Sequence, residues 1–551
     1  MDMERTGDAW WKNAVFYCLD VETFQDSNDD GVGDFRGLTH RIDYLAGLGV
    51  TCIWLMPFYP SDDRDDGYDI TDYYAVDPRL GTLGDFVEFM RTARDRGIRV
   101  IADLVVNHTS RAHPWFQSAR TDPRSPHRDW YVWRSDPPEE TPPSDLVFPD
   151  QESSIWEWDD VAAQYYLHRF YKHQPDLNIA SPALREEIRR IIGFWMELGL
   201  SGFRVDAVPF LLETEGIGHP LGFDPHDWLR DLRGFLNRRR GDGVLLGEVN
   251  LSYEQTRAFM GDDGGDELHM CLDFNMNQSV GLSLVREDAG SILHTLAAMP
   301  SLAHDNAWGQ FVRNHDEWSL DKLTEAERRE VFRAFGPRKD MQLYGRGLRR
   351  RMPSMLQDEA RLRMVYSLAF SLPGAPVLFY GEEIGMAENL AIPGRLSVRA
   401  PMQWNAGRNG GFSGASSDVI RRPVVATKAF APPAVNANDQ DREPASLLNW
   451  MTRLIRRRRE SPEIGFGTCR ALKVAEAAIV ALRHDWGPSS LLTMHNLSAE
   501  ACTVSIPLSE VPNGGELVPL LGDAKITRGS EGVEVLLPPY GLLWGRISAS
   551  E

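Results

Sequence analysis

The sequence is poor in cysteine, because its 551 residues contain only Cys18, Cys52, Cys271, Cys469 and Cys502. These five are widely scattered, and none forms the closely spaced pair that is typical of zinc sites. An odd number of unpaired positions favours buried thiols in a reducing compartment over a disulfide framework. The amino terminus also lacks a basic start followed by an apolar stretch, as a secretory signal would have. We therefore expect a cytoplasmic protein.

Long apolar runs and an excess of positive charge are also missing. No stretch approaches the roughly 20 apolar residues of a membrane-spanning helix. The chain has 59 Lys and Arg against 80 Asp and Glu, a net charge of -21, whereas nucleic-acid binding needs a concentrated cationic surface. Three arginine runs, at 238–240, 349–351 and 456–459, lie in or end helix-like sequence, and we interpret them as solvated helix faces. We expect neither a nucleic acid nor a membrane as partner, but a small neutral molecule.

Eight short apolar runs of the buried-strand type alternate with amphipathic helical stretches. Such alternation predicts a parallel sheet covered by helices, and eight repeats favour a closed (β/α)8 barrel in the α/β class. The predicted strands are Val15 to Leu19, Cys52 to Met56, Arg99 to Val105, Gly202 to Asp206, Val244 to Glu248, Met270 to Phe274, Gln310 to Arg313 and Pro376 to Tyr380.

The pattern is interrupted after the third strand and ends before the carboxyl terminus. Residues 108–178 are rich in Trp, Pro, Asp and His and are too long for a simple loop, so they predict an inserted subdomain that shapes the pocket. From residue 466 to residue 551, short alternating strands such as 478–482, 490–494 and 533–537 predict an antiparallel β-sandwich. Residues 1–107 and 179–465 would then form the barrel.

Polar and charged residues stand at the ends of several predicted strands, where a (β/α)8 barrel carries its catalytic groups. Asp206 ends the fourth strand and Glu248 ends the fifth. Cleavage of an acetal with retention needs one ionised carboxylate and one protonated carboxyl about 5 Å apart, and neighbouring strands supply such a pair. Arg204 lies two residues before Asp206 on the same strand face, so its cation is expected to keep Asp206 ionised. Negative charge from Asp206 and Asp316 would keep Glu248 partly protonated.

Four segments carry a resemblance to a known family. They are Asp103 to His108, Gly202 to Asp206, Gly247-Glu248 and Arg313 to Asp316, and in this order they resemble the signature regions of the α-amylase superfamily, glycoside hydrolase family 13. The resemblance implies that Asp206 is the nucleophile, Glu248 the acid/base and Asp316 a transition-state stabiliser. It also implies a substrate-binding role for a further set of residues: Asp65, Tyr68, His108, Arg204, His315 and Arg399.

Further segments resemble one branch of this family. Residues 174–178 are similar to a region of the α-glucosidases and oligo-1,6-glucosidases, and Ala207 resembles enzymes that prefer α-1,4 links. Residues 64–69, 204–216 and 399–413 resemble the trehalose synthases, which implies interconversion of maltose and trehalose in a closed pocket. Residues 249–253 and 273–279 depart from that pattern on the acceptor side. Hydrolysis or transfer to another acceptor therefore stays open, as does an inactive sugar-binding homologue.

Two structural metal sites are expected, and no organic cofactor. A first loop places oxygen donors at alternate positions around a glycine, as calcium loops do, but it lacks the Glu of an EF-hand. It resembles the calcium or magnesium loop of α-glucosidase relatives, and its ligands would be Asp26, Asn28, Asp30, Val32 and Asp34. The resemblance implies a second site formed by Asn107, Asp176, Phe210, Leu211 and Glu213. The expected substrate is a disaccharide or short oligosaccharide, and a homo-oligomer is compatible with the sequence.

Overall fold

A closed barrel of eight parallel strands forms the centre of the computed structural model, which describes residues 9–142, 145–212, 224–262, 264–511, 516–529 and 532–548. Each strand pairs with its neighbours in chain order, and the eighth pairs with the first. The strands are β1 (Phe16–Leu19), β2 (Cys52–Leu55), β3 (Arg99–Leu104), β4 (Gly202–Val205), β5 (Val244–Gly247), β6 (Met270–Leu272), β7 (Ala307–Phe311) and β8 (Ala375–Phe379). The predicted (β/α)8 fold is confirmed.

The seventh strand begins three residues earlier than the sequence predicts. The prediction placed it at residues 310–313, whereas β7 spans Ala307–Phe311. Its polar residue Gln310 is buried and donates hydrogen bonds from Nε2 to Asp273 Oδ2 at 2.9 Å and to the Pro373 carbonyl at 3.0 Å. A buried amide with two acceptors is stable inside a barrel.

Helices connect the strands and cover the barrel. The helix at Leu83–Asp95 begins with a capping box, in which Thr82 and Asp85 each accept a hydrogen bond from the other's backbone N–H. The other α-helices are Val21–Phe24, Phe35–His40, Ile42–Leu48, Pro114–Thr121, Pro182–Glu197, Val208–Leu212, Pro225–Arg239, Tyr253–Ala258, Phe274–Arg286, Gly290–Ala298, Glu325–Phe335, Met352–Leu356, Glu359–Ser371, Ala437–Arg442, Leu447–Arg459 and Pro462–Phe466.

Two small sheets lie in the connections between elements of the barrel. The inserted segment between β3 and the helix at Pro182–Glu197 forms an antiparallel sheet of Trp133–Arg134, Gln164–Leu167 and Trp156–Asp159. A second antiparallel sheet, which the sequence analysis did not predict, joins Trp318–Ser319, Gly347–Leu348 and Gln342–Leu343 after β7. The second sheet contributes Ser319 to the wall of the cavity described below.

The carboxyl-terminal part consists of two antiparallel sheets, as predicted. One has five strands in the order Thr468–Ala471, Ile479–Trp486, Ser489–Asn496, Leu542–Ser548 and Glu516–Gly522, and the other contains Cys502–Pro507, Gly532–Leu537 and Lys525–Arg528. Apolar side chains from both sheets form a separate core. Ser367, on the barrel helix Glu359–Ser371, attaches this part to the barrel. Its hydroxyl forms a hydrogen bond with the His495 ring at 2.8 Å and accepts one from the Trp544 indole at 2.9 Å.

The interpretation of the arginine runs as solvated helix faces is wrong for residues 349–351. Arg349, Arg350 and Arg351 are buried and lie outside any helix. Their guanidinium groups donate to main-chain carbonyls, and Arg350 also pairs with Glu388 at 2.7 Å. Arg458, in the third run, is buried as well. Buried arginines with several acceptors hold chain segments together.

All five cysteine thiols are free, and Cys18, Cys52 and Cys271 are buried. Within the described ranges, no helix is long and apolar enough to span a bilayer.

Candidate active site

Asp206 and Glu248 meet at one guanidinium group above the carboxyl ends of β4 and β5. Arg204 Nη1 contacts Asp206 Oδ1, and Arg204 Nη2 lies 2.7 Å from Glu248 Oε2. Arg204 Nη1 also contacts Asp103, which accepts a second hydrogen bond from the Trp54 indole at 2.9 Å. One cation therefore holds two carboxylates from consecutive strands side by side, the arrangement expected for two carboxyl groups that act on one bond.

The backbone turns sharply immediately after Asp206. Ala207 has φ of 50°, a left-handed conformation that is uncommon for residues other than glycine. Its N–H donates to Glu248 Oε2 at 3.2 Å. The turn thus orients a main-chain donor toward the second carboxylate, and strained backbone of this kind is concentrated at functional sites.

Burial dominates the electrostatics of the carboxylates. It raises the pKa of Asp206 to about 6, although the Arg204 cation opposes the rise. Burial also raises the pKa of Glu248 against Arg204, and negative charge from Asp206 and Asp316 adds to the rise. The sequence analysis attributed the raised pKa of Glu248 to its negative neighbours alone, whereas desolvation is the larger cause. Arg204 favours the ionised form of Asp206, which is the direction that the sequence analysis expected, but burial has the larger effect on the pKa of Asp206.

Asp316 lies after β7 within a cluster of cationic and ring groups. Its carboxylate accepts from Arg399 Nη2 at 2.8 Å and lies 3.2 Å from His315 Nε2. Burial opposes ionisation, but His315 and the nearby guanidinium groups hold the pKa of Asp316 well below its ordinary value. The Tyr68 hydroxyl bonds His315 Nε2 at 2.8 Å. His315 and Arg399, both predicted to bind substrate, thus contact Asp316 directly.

Asp65 is joined to Asp316 by Arg395, a residue that the sequence analysis missed. Arg395 Nη1 lies 3.1 Å from Asp316 Oδ1, and Arg395 Nη2 contacts Asp65 Oδ1. Asp65 also accepts from Gln174 Nε2 at 2.9 Å. A single arginine in a short 3₁₀ helix has no sequence pattern of its own, so only the folded chain reveals this bridge.

His108 follows β3 and is buried against the same wall. Its Nε2 lies 3.1 Å from the Tyr68 carbonyl, and burial lowers its pKa to about 4. The ring is therefore neutral at physiological pH and offers one donor and one acceptor.

The predicted residues surround one cavity of about 510 Å³, within the range of small-molecule sites. Its wall contains Asp65, Tyr68, His108, Asp206, Glu248 and Asp316, whereas Arg204, His315 and Arg399 contact these residues from behind. Other lining residues, which the sequence analysis missed, are Val147, Phe148, Phe170, Ser319, Asp321, Arg346 and Arg395. The cavity is also lined by Asn250, Leu251 and Phe274, from the two segments that the sequence analysis placed on the acceptor side, and by Phe210, which it placed in the second metal site.

Asn250 and Asp321 form a polar patch in the cavity wall. Asn250 Nδ2 lies 3.2 Å from Asp321 Oδ2, and Asp321 Oδ1 accepts from Gln278 at 2.8 Å and from Ser319 at 2.8 Å. Within the described part of the chain, Asn250 Oδ1 has no hydrogen-bond partner. Asn250, Ser319 and Asp321 all line the cavity, so the patch gives this part of its wall a polar surface.

The first predicted metal loop folds around its own side chains. Asp26 accepts from the N–H groups of Asn28, Asp29 and Gly31 at 2.8 to 3.0 Å, and Asp34 caps the helix at Phe35–His40. Asn28 Nδ2 donates to Asp30 at 2.9 Å. Among the residues described, no group of three or more His, Cys, Asp or Glu side chains has a metal-holding arrangement. A calcium or magnesium ion here stays a prediction based on the oxygen donors.

The second predicted metal site is partly described. Asn107 and Asp176 lie together, with Nδ2 and Oδ1 3.5 Å apart, and Phe210 and Leu211 belong to the helix at Val208–Leu212. Glu213 lies outside the described residues. This site also stays a prediction.

Comparisons with known proteins extend over nearly the whole chain. The family model described as "Alpha amylase, catalytic domain" matches residues 21–334 and 348–467. The trehalose synthase/amylase TreS of Mycolicibacterium smegmatis is 41% identical over 480 residues, which are 86% of this chain and 80% of that protein. The trehalose synthase of a Pimelobacter species is 38% identical over 553 residues, covering 98% and 96%. A crystal structure of a MutB mutant in complex with glucose has a TM-score of 0.79 at 27% identity, covering 98% and 100%.

Proposed function

Since this chain belongs to the α-amylase family of enzymes, glycoside hydrolase family 13, we propose that it interconverts maltose and trehalose through a covalent glucosyl intermediate on Asp206. The observation that carries the proposal is the pair of carboxylates on Arg204, inside a cavity of disaccharide size. Two relatives are named trehalose synthases, which supports the choice of substrate.

In the first proposed step, the ionised Asp206 attacks the anomeric carbon of the non-reducing glucose. Glu248 donates its proton to the glycosidic oxygen, so the C–O bond breaks and glucose leaves as an alcohol. Asp316, Asp65 and His108 would hold the hydroxyl groups of the bound glucosyl unit. Arg204 keeps Asp103 and Glu248 paired while the charge of Asp206 is lost in the ester.

In the second proposed step, the released glucose turns within the cavity and presents its anomeric hydroxyl to the ester. Glu248 now acts as the base that removes the hydroxyl proton, and the new bond gives trehalose. Asn250 and Asp321 would bind the free glucose, because their polar atoms line the same cavity. Attack by water in place of glucose would release two glucose molecules.

The second candidate function is hydrolysis of small α-glucosides. The name of the Mycolicibacterium smegmatis relative includes "amylase". Leu251 and Phe274, from the two segments that depart from the trehalose synthase pattern, line the cavity. NMR of the products formed from maltose distinguishes the two candidates. We expect trehalose as the main product of the wild-type enzyme. Glucose alone would reject isomerisation and favour the hydrolase.

The acidic limb of the pH profile is expected near pH 6. Asp206 must be ionised to attack, and burial raises its pKa to about 6 against Arg204; kcat/KM should therefore fall about tenfold for each unit of pH below that value. Burial also raises the pKa of Asp103 to about 6, and Asp103 shares Arg204 with Asp206. The acidic limb therefore reports the titration of these two carboxyl groups together.

The measurement is kcat/KM on maltose across the acidic range, at fixed ionic strength. Recovery of full activity after a return to neutral pH controls for acid denaturation. A limb at about pH 4, the ordinary value for an Asp side chain, would contradict the proposed effect of burial.

A further inference from the structure

A series of alternating charges leads from Asp316 away from the cavity. Arg399 Nη2 donates to Asp316 Oδ1 at 2.8 Å, and Arg399 Nη1 contacts Asp66 Oδ2. The other oxygen of Asp66 contacts Arg422 Nη2. We call Asp316, Arg399, Asp66 and Arg422 the ionic network. The side chains of Arg399, Asp66 and Arg422 are 0%, 5% and 6% exposed, and these three residues do not line the cavity.

The outer end of the ionic network is fixed to the first barrel strand. Asp20 directly follows β1, and its Oδ2 accepts from Arg422 Nη1 at 3.2 Å. Glu22 Oε1 lies 2.9 Å from Arg422 Nη2. The Arg422 guanidinium therefore faces three buried carboxylates, those of Asp20, Glu22 and Asp66. A planar guanidinium can bond several carboxylates in fixed directions, which the compact charge of a lysine cannot.

An uncommon backbone conformation presents Asp66 to the two arginines. Asp66 has φ of 56° in the segment after β2, a left-handed conformation in which Asp and Asn are enriched among residues other than glycine. Its neighbour Asp65 contacts Arg395, which also lies 3.1 Å from Asp316. Two consecutive carboxylates thus contact the two arginines that hold Asp316, and Asp66 supplies the contact on the side away from the cavity.

Arg422 limits the competition for Arg399. Burial raises the pKa of Asp20, and Arg422 and Arg399 are cations that oppose the rise. Without Arg422, the charge of Arg399 would have to serve Asp20 and Asp66 as well as Asp316. A buried carboxylate that loses its partner is costly, so Arg399 would be drawn toward these two acids and away from Asp316.

We propose that Arg422 is a positioning residue for Asp316: it neutralises Asp66 from behind, and so keeps Arg399 directed at the Asp316 carboxylate. The inference rests on the proposed function, in which Asp316 holds hydroxyl groups of the bound glucosyl unit. A carboxylate held in place strengthens its bonds to the sugar in the transition state, so the contribution of Arg422 is to kcat more than to KM.

The test compares Arg422→Ala with the adjacent substitution Arg421→Ala. Arg421 belongs to the same segment and contacts Glu22 and Asp63, so its removal deletes a guanidinium but leaves the ionic network intact. We expect Arg422→Ala to lower kcat for total maltose consumption about ten- to thirtyfold, with KM within about threefold of the wild-type value. Arg421→Ala should keep both constants within about threefold.

A second substitution distinguishes positioning from general support of the fold. Asp66→Asn removes the negative charge that competes for Arg399, and asparagine tolerates the positive φ at this position. Added to Arg422→Ala, it should therefore recover about fivefold or more of the lost kcat. If Arg422 only stabilised the fold, deletion of a second charge from the same network would lower activity further.

Each result decides the inference. A loss that lies wholly in KM, equal losses in Arg421→Ala and Arg422→Ala, or a double variant no more active than Arg422→Ala would overturn it. Thermal unfolding identifies a variant that fails to fold. If Arg422→Ala fails, Arg422→Lys takes its place, because it keeps the charge but cannot bond Asp20 and Asp66 together; we expect a loss in kcat of about three- to tenfold that Asp66→Asn reverses.

The proposed function is tested separately in the same reactions. Absence of trehalose from the wild-type products would reject isomerisation, whereas the comparison of kcat counts all maltose consumed and is decided in either case. Should the wild-type enzyme not consume maltose, release of p-nitrophenol from p-nitrophenyl α-glucoside gives the same comparison, since that reaction needs the glucosyl site but no second sugar.

Discussion

Asp206→Asn is expected to lower kcat on maltose by about 10⁴-fold or more, because the substitution removes the carboxylate on which the proposed glucosyl ester forms. An amide is a poor nucleophile but has nearly the same shape, and its oxygen still accepts from Arg204. The loss therefore reports the missing nucleophile and not a collapsed site. The measurement is the combined rate of trehalose and glucose release, together with mass spectrometry of the quenched enzyme for a glucosyl adduct.

The chain offers a matched control for this substitution. Asp273 is buried, directly follows β6 and has its pKa raised to about 6 by burial, as Asp206 has. Its carboxylate is occupied by Tyr253, Gln310 and the Met276 N–H, and it does not line the cavity. We expect Asp273→Asn to keep activity within about tenfold of the wild-type value. Equal activity of Asp206→Asn and wild type would remove Asp206 from the mechanism.

The sequence predicts the barrel because its local and global signals agree. Each strand is a short buried run, and several helices begin with a side-chain cap. Asp206 and Glu248 directly follow β4 and β5, where the strands end. Parallel strands place these ends at one edge, so the chain order alone brings the two carboxyl groups together. Residues that lie on strands or directly after them are therefore the predictable part of the site.

The remaining part of the site comes from segments without periodicity. Arg395 lies in a short 3₁₀ helix, and Arg346 lies in a turn, so neither location has a repeating pattern that identifies it. The three arginines at 349–351 show the same limit, since a run of cations in the sequence does not reveal the carbonyl groups that surround it in the fold. Long-range contacts of this kind depend on tertiary packing and not on local propensity.

Glu248→Gln is expected to separate the two steps of the proposed reaction. Departure of glucose as an alcohol needs a proton from Glu248, so turnover of maltose should fall by about 10²- to 10⁴-fold. Glucosyl fluoride has a leaving group that departs without a proton, so formation of the ester on Asp206 should stay near the wild-type rate with that substrate. The glutamine oxygen can still accept from the Ala207 N–H, whose bond to Glu248 is 3.2 Å long in the wild-type site.

The second step gives the decisive measurement for this variant. Without a base at position 248, the ester should accumulate after a burst of fluoride release, and mass spectrometry should detect the added glucosyl unit on the peptide that contains Asp206. Added azide, an anion that needs no base, should then release the sugar as glucosyl azide and restore turnover. Equal losses with maltose and glucosyl fluoride, without a burst, would show that Glu248 shapes the site and transfers no proton. In the proposed reaction, the raised pKa of Glu248, caused first by burial, would allow one side chain to give a proton in one step and take it back in the next.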